Sequence, residues 1–152
     1  MSKSQTKDLL QFLKPYPQQV QEITLWLRDF VWDLYPEANE LLYDNYNAVV
    51  TGFSPSQNTS DVVCSVAVYS NYVNFGFMWG TKIADTDKIL VGGGNQYRYI
   101  TVKDKKDFPK AYMKKLLKEA FAYSTAKMKP GKEILKGATI VKSISPKKRR
   151  PK

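Results

Sequence analysis

Histidine is absent from this chain of 152 residues, and Cys64 is its single cysteine. Ser-His and Cys-His nucleophile pairs, histidine metal sites and an intrachain disulfide are therefore excluded. The chemistry that remains belongs to carboxylates, phenols, indoles and cationic side chains. Residues 22–44 hold Glu22, Asp29, Asp33, Glu37, Glu40 and Asp44 against a single base, Arg28. On a helix, Glu22, Asp29 and Asp33 share one stripe, and Asp29 and Asp33, four residues apart, can share a cation. Oxygen-only ligand sets suit hard cations, ferrous iron at weak surface sites among them. The metal-ligating candidates are thus Asp29, Asp33 and Glu37, with Glu22 and Glu40 assisting. The same stripe opposite an apolar one is also what an ordinary surface helix shows.

A second group is aromatic. Tyr43, Tyr46, Tyr72, Phe75, Phe77, Trp79, Tyr97 and Tyr99 crowd the middle of the chain. Most must fill a core, but tyrosine and tryptophan on the opposite face, with Arg98, can line a groove. The candidate groove residues are Tyr43, Tyr72, Trp79, Asp85, Gly92, Gly94 and Arg98. Gly92-Gly93-Gly94 can present backbone N–H groups to an anion. It lacks the lysine of a phosphate-binding loop and opens no helix, so it reads as a turn before a strand. An enzyme would need Tyr43, Asp85 and Arg98 to converge in one cleft. No spacing points to that, and Cys64, mid-strand on an apolar face, reads as an inert thiol.

The third group is basic. The formal net charge is +10, yet residues 127–152 hold ten Lys or Arg and one acid, giving +9, while residues 1–126 are nearly neutral at +1. Nucleic-acid contact is therefore expected, if anywhere, from Lys147, Lys148, Arg149 and Arg150, together with Lys114, Lys115 and Lys118 of a helix. The apolar stretch around Leu9 to Leu13 is too short and interrupted for a signal peptide or membrane span. The expected location is cytoplasmic, with no membrane partner.

The elements that must position these groups follow from periodicity. A short helix over residues 7–14 is ended by Pro15 and Pro17. Residues 18–34 form an amphipathic helix with Val20, Ile23, Leu27, Val31 and Leu34 on one stripe. Pro36 then opens a third helix through Leu42. Period-two patterning predicts strands over 46–53, 62–69, from Tyr72 to Trp79, and over 97–102. In the last of these, Tyr97, Tyr99 and Thr101 share one face. Asp107 caps a long helix that carries Pro109 in its first turn and ends near Thr125. Residues 138–144 form a further short strand or pack loosely, and 145–152 are expected to be disordered. Strands grouped between helices predict an α+β fold, with an antiparallel meander carrying N-terminal helices and a C-terminal helix. The domain spans 1–126, and 127–152 is a basic, largely disordered extension.

Residues 72–102 carry an aromatic strand, Gly80, an aspartate turn at Asp85, Leu90, a glycine-rich turn and Arg98. With Pro36, Glu37 and Tyr43 before them and a helix near Tyr112 to Phe121 after them, they resemble the YdhG-like family over roughly residues 20–125. The sequence departs from that pattern where Thr86 follows Asp85 and where Asn95 follows the glycines. The resemblance implies a small α+β domain. Since some members carry the label of frataxin-like iron chaperone, it also implies iron handling. Two functions follow as expectations. One is a non-catalytic binding module for a small ligand, a metal or a protein. The other is a nucleic-acid accessory protein acting through the basic tail.

Overall fold

The structure is a computed structural model and describes residues 7–128 and 137–147. The α+β class is as expected. Three helices, α1 (Lys7–Leu13), α2 (Gln18–Leu34) and α3 (Lys110–Lys127), pack on a six-stranded sheet. Its strands are β1 (Asn39–Asp44), β2 (Val49–Ser54), β3 (Cys64–Val68), β4 (Val73–Phe77), β5 (Arg98–Val102) and β6 (Thr139–Ile144). Their spatial order is β5-β4-β3-β2-β1-β6. The first five form an antiparallel meander, and β6 adds parallel to β1 at the far edge.

Two expectations are corrected. Residues 36–42 do not form a helix. After α2 the chain turns through an Ala38 N–H to Tyr35 carbonyl bond and enters β1 directly. Proline's suitability for a first helical turn is outweighed by two strand partners, β2 and β6, which take up the backbone groups of 39–44. Asp107 caps no long helix. Its carboxylate accepts from the Lys103 and Asp104 amides and closes the single 3-10 turn 105–107, so that α3 starts at Lys110 behind Pro109. The short strand expected over 138–144 forms as β6, the sixth of the sheet. The other strands match to within three residues of their expected bounds. Residues 148–152 of the basic tail lie outside the described residues.

Strand alternation divides the sheet into two faces. Leu42, Thr51, Phe53, Cys64, Val66, Phe75, Phe77, Ile100 and Val102 lie on the face that packs under the helices. Phe30 of α2 meets Phe75 and Phe108 edge-to-face, with centroids 6.2 and 4.9 Å apart, and Phe75 meets Phe108 at 5.3 Å. Arg28 and Glu40 are fully buried in this layer. Arg28 Nε and Nη2 each donate to a different Glu40 oxygen at 2.7 Å. Thr51 Oγ1 (2.6 Å) and Thr139 Oγ1 (3.0 Å) donate to the same carboxylate. The guanidinium lies 4.5 Å over the Trp32 ring, whose Nε1 donates to the Ala38 carbonyl at 2.7 Å.

The Arg28–Glu40 pair yields a stability test. Arg28→Met leaves the Glu40 carboxylate buried without its counter-charge, and urea unfolding should show a loss of about 3–5 kcal/mol. Arg28→Met combined with Glu40→Leu should lose much less, since no charge is then stranded. Equal losses in the two variants would mean that the residues contribute by shape alone.

Candidate functional site

Asp29 and Asp33 are on α2, Glu37 is in the turn to β1, and Glu22 is exposed and accepts from Gln18 Nε2 at 3.0 Å. Glu40 points the other way, into the core, where Arg28 holds it. Among the described residues, no three Asp, Glu, Cys or His side chains stand together in a way that could hold a metal ion. Cys64 is fully buried, and burial pushes its thiol far above the usual range, as expected of an inert cysteine.

The seven groove candidates do not share a groove. Tyr43 is on β1, where its hydroxyl bonds to Thr59 Oγ1 at 2.7 Å. Trp79 turns toward α3, packing on Tyr123 (5.9 Å between centroids) with the Lys127 ammonium 3.2 Å over its ring. Asp85, Gly92, Gly94 and Arg98 build a clasp at the β5 edge. Asp85 accepts from the Ile89 and Leu90 amides (3.2 and 2.8 Å) and from the Tyr112 hydroxyl of α3. The folded loop then returns Val91 to pair with Tyr99. Gly92 has φ +142°, which disfavours any side chain, and its amide region lies under the Arg98 stem. Arg98 Nη1 donates to the Gly94 and Tyr97 carbonyls at 2.6 and 2.7 Å, and a Cβ on Gly80 would collide with Arg98. This set of residues makes a loop that bridges the β5 edge at Tyr99. Its spacing in the sequence is explained by that task.

Tyr72 belongs to a different constellation. It flanks the β3–β4 turn opposite Tyr69, with the ring centroids 5.2 Å apart and the planes 26° from parallel. Tyr97 and Tyr99 form a second pair at 5.8 Å and 24°. Both pairs lie on the face away from the helices, alongside Ser65, Ala67, Asn74 and Thr101. Tyr97 lies over Gly76, where even one methyl group would collide with its ring, and its hydroxyl bonds to Ser65. Burial, then the neighbouring rings Tyr72 and Tyr99, raises the Tyr69 phenol above its ordinary pKa, so it stays neutral and able to donate at pH 7. All four rings are half-buried, each leaving part of its surface to solvent. At the end of this surface an open depression of about 440 Å³ is lined by Asn47, Tyr69, Ser70, Asn71 and Tyr72.

Sequence reasoning placed Tyr97, Tyr99 and Thr101 on one face but missed Tyr69 and the asparagines. The available signal was the Ser70-Asn71 turn. It sets Tyr69 across from Tyr72 and carries the alternation Ser65-Ala67-Tyr69 onto the same side.

A second cavity, about 350 Å³, lies between the ends of α2 and α3. Tyr35 stacks on Phe121 there at 3.8 Å, and Ala38, Pro55, Glu37 and Lys118 complete much of the wall. Both chain ends that flank residues 129–136 come to it. The Met128 amide donates to Thr125, and the Gly137 amide donates to Glu37. The tyrosine surface, by contrast, is bounded by strands and tight turns. Lys114, Lys115 and Lys118 are exposed along α3, as expected, and Lys147 is exposed beyond β6. Lys148, Arg149 and Arg150 lie outside the described residues. Among the described residues, no helix is long and apolar enough to cross a membrane. No family model, curated protein or solved structure matches this chain significantly.

The clasp carries a pH signature. Burial opposes ionisation of Asp85, but the Tyr112 hydroxyl and the Leu90, Ile89 and Lys88 amides outweigh it and hold the carboxyl below its ordinary value of 3.8. A depressed folded-state pKa stabilises above the unfolded value, and that contribution disappears as pH falls through the lowered one. Asp85→Asn should therefore reduce stability at pH 7, with the gap to the unsubstituted protein closing below about pH 3.8. A gap independent of pH would mean that Asp85 acts without its charge.

Proposed function

We propose that this chain is a non-catalytic binding module and that the tyrosine-bearing face of the sheet is its ligand surface. One observation carries this reading: four half-buried tyrosines stand in two stacked pairs on the sheet face opposite the helices. Tyrosine offers a rigid apolar ring and a polar tip at little entropic cost, which suits recognition better than a bare apolar patch would. Ordinary core filling would put these rings among the helices, where Phe30, Phe75, Phe77 and Phe108 already sit.

The same reading includes kinship with YdhG-like domains. What supports it is the order Gly80, Asp85, Leu90, Gly92, Gly94, Arg98, each residue of which has a part in one clasp. Iron handling would rest on Asp29, Asp33 and Glu37 without the assisting Glu40, which is committed to Arg28. A nucleic-acid role through the exposed lysines of α3 and the basic tail is the rival, and salt separates the two.

The test is an NMR screen of small fragments against the full chain. Bound fragments should move Tyr69, Tyr72, Tyr97 and Tyr99 ring resonances. Tyr72→Ala and Tyr99→Ala should each weaken those fragments about tenfold while leaving the fold intact, because both rings leave part of their surface to solvent. Fragments gathering only around Tyr35 and Phe121, or binding that disappears with added salt, would contradict the assignment.

A further inference from the structure

Resting on that reading, we infer that the ligand is a neutral, polyhydroxylated one, a sugar ring of an oligosaccharide, seated in the depression between the β1–β2 and β3–β4 turns. The lining supplies the argument. Asn47, Tyr69, Ser70, Asn71 and Tyr72 include no charged side chain. A phosphate, carboxylate or ammonium entering here would shed water with no counter-charge in the wall. A strand of nucleic acid would further need cations along its backbone track.

What the wall does offer is matched to hydroxyl groups. Each asparagine amide presents a donor pair and an acceptor side by side, and Ser70 and the phenols both donate and accept. Adjacent hydroxyls on a pyranose ask for that combination. The faces of a pyranose carry polarised C–H groups, which the negative face of an aromatic ring attracts. Tyr69 and Tyr72, with centroids 5.2 Å apart, expose ring surface at the depression. Its volume of about 440 Å³ is within the range of small-ligand sites. Its open shape lets a chain enter and leave without end recognition. The surface continues from Tyr69 toward Tyr99 and Tyr97, past Asn74 and Thr101, whose hydroxyl donates to Asn74 Oδ1 at 2.7 Å. A second sugar unit would meet the same mixture of rings, amides and hydroxyls there.

The experiment titrates cellohexaose, maltohexaose and chitohexaose, each alone, into the full chain carrying labelled tyrosines, with decathymidylate run in parallel. At least one oligosaccharide should give saturable shifts centred on Tyr69, Tyr72 and Asn71. Its affinity should be unchanged between about 50 mM and about 500 mM salt. Asn71→Ala and Tyr72→Ala should each weaken it about tenfold. Asn71 is exposed in a turn, so at least that variant keeps the fold. If no sugar moves these resonances but decathymidylate does, the sugar assignment is overturned and the tyrosine face survives as a binding surface. If neither probe moves them, the sugar assignment is overturned, and fragments that still move the same rings separate that failure from failure of the tyrosine face itself.

Discussion

The buried pairing of Arg28 with Glu40 is the constraint on which the rest of the architecture depends. A buried carboxylate is tolerated only when its hydrogen-bonding capacity is met, whereas Arg28 leaves Nη1 without a hydrogen-bond partner among the described residues and rests its guanidinium over the Trp32 ring. Glu40 meets its capacity with two bonds from Arg28 and one each from Thr51 and Thr139. Those four donors come from α2, β2 and β6, while the acceptor is on β1. A single carboxylate thereby fixes a helix and three adjacent strands in one register. A shift of β1 by one residue would carry Glu40 to the opposite face and strand the charge of Arg28. The apolar core alone, with many interchangeable valines and leucines, would specify that register less sharply.

With α2 held in this way, the helices seal one face of the sheet and the two halves of the other face differ. Across β1 and β2, the Ser54–Val63 connection folds back over the strands. Val62 packs against Gly52, and Ser56 and Thr59 bond to Asn39 and Tyr43. Across β3, β4 and β5, the hydroxyl end of Tyr97 covers Gly76, and the remaining tyrosines are half-buried. The loop from Asp85 to Arg98 folds back beside β5 and bridges it once, Val91 to Tyr99, which shortens the free strand edge next to the aromatic half of the face. Stable scaffold and recognition surface are thus separated: buried charge on one side of the sheet, neutral amides and phenols on the other.

Much of this was legible in the sequence because local pattern and tertiary environment agree there. The 18–34 stripe, the alternating strands and the face shared by Tyr97, Tyr99 and Thr101 all appear where periodicity puts them. Two of the failures share a cause: interactions distant in sequence outweighed local preference. Pro36 reads as a helix start, but β1 is fixed by β6, about a hundred residues later. Glu40 reads as one more surface acid in an acidic stretch, because nothing local reveals that Arg28, twelve positions earlier, faces it in the core. The glycines and Arg98 read as groove-forming, since spacing cannot distinguish a loop that binds a ligand from one that binds itself. Tyr69 was passed over as the last residue of a strand, although the turn beside it sets it opposite Tyr72.

Whether the tyrosine face is open to a ligand can be measured directly by adding a soluble paramagnetic relaxation agent to the full chain and following its aromatic resonances. An open face predicts strong broadening of Tyr69, Tyr72 and Tyr99, with Phe30, Phe75 and Phe77 left sharp beneath the helices. Tyrosine signals as protected as those phenylalanines would mean that another part of the chain covers the face, and its assignment as the ligand surface would be wrong.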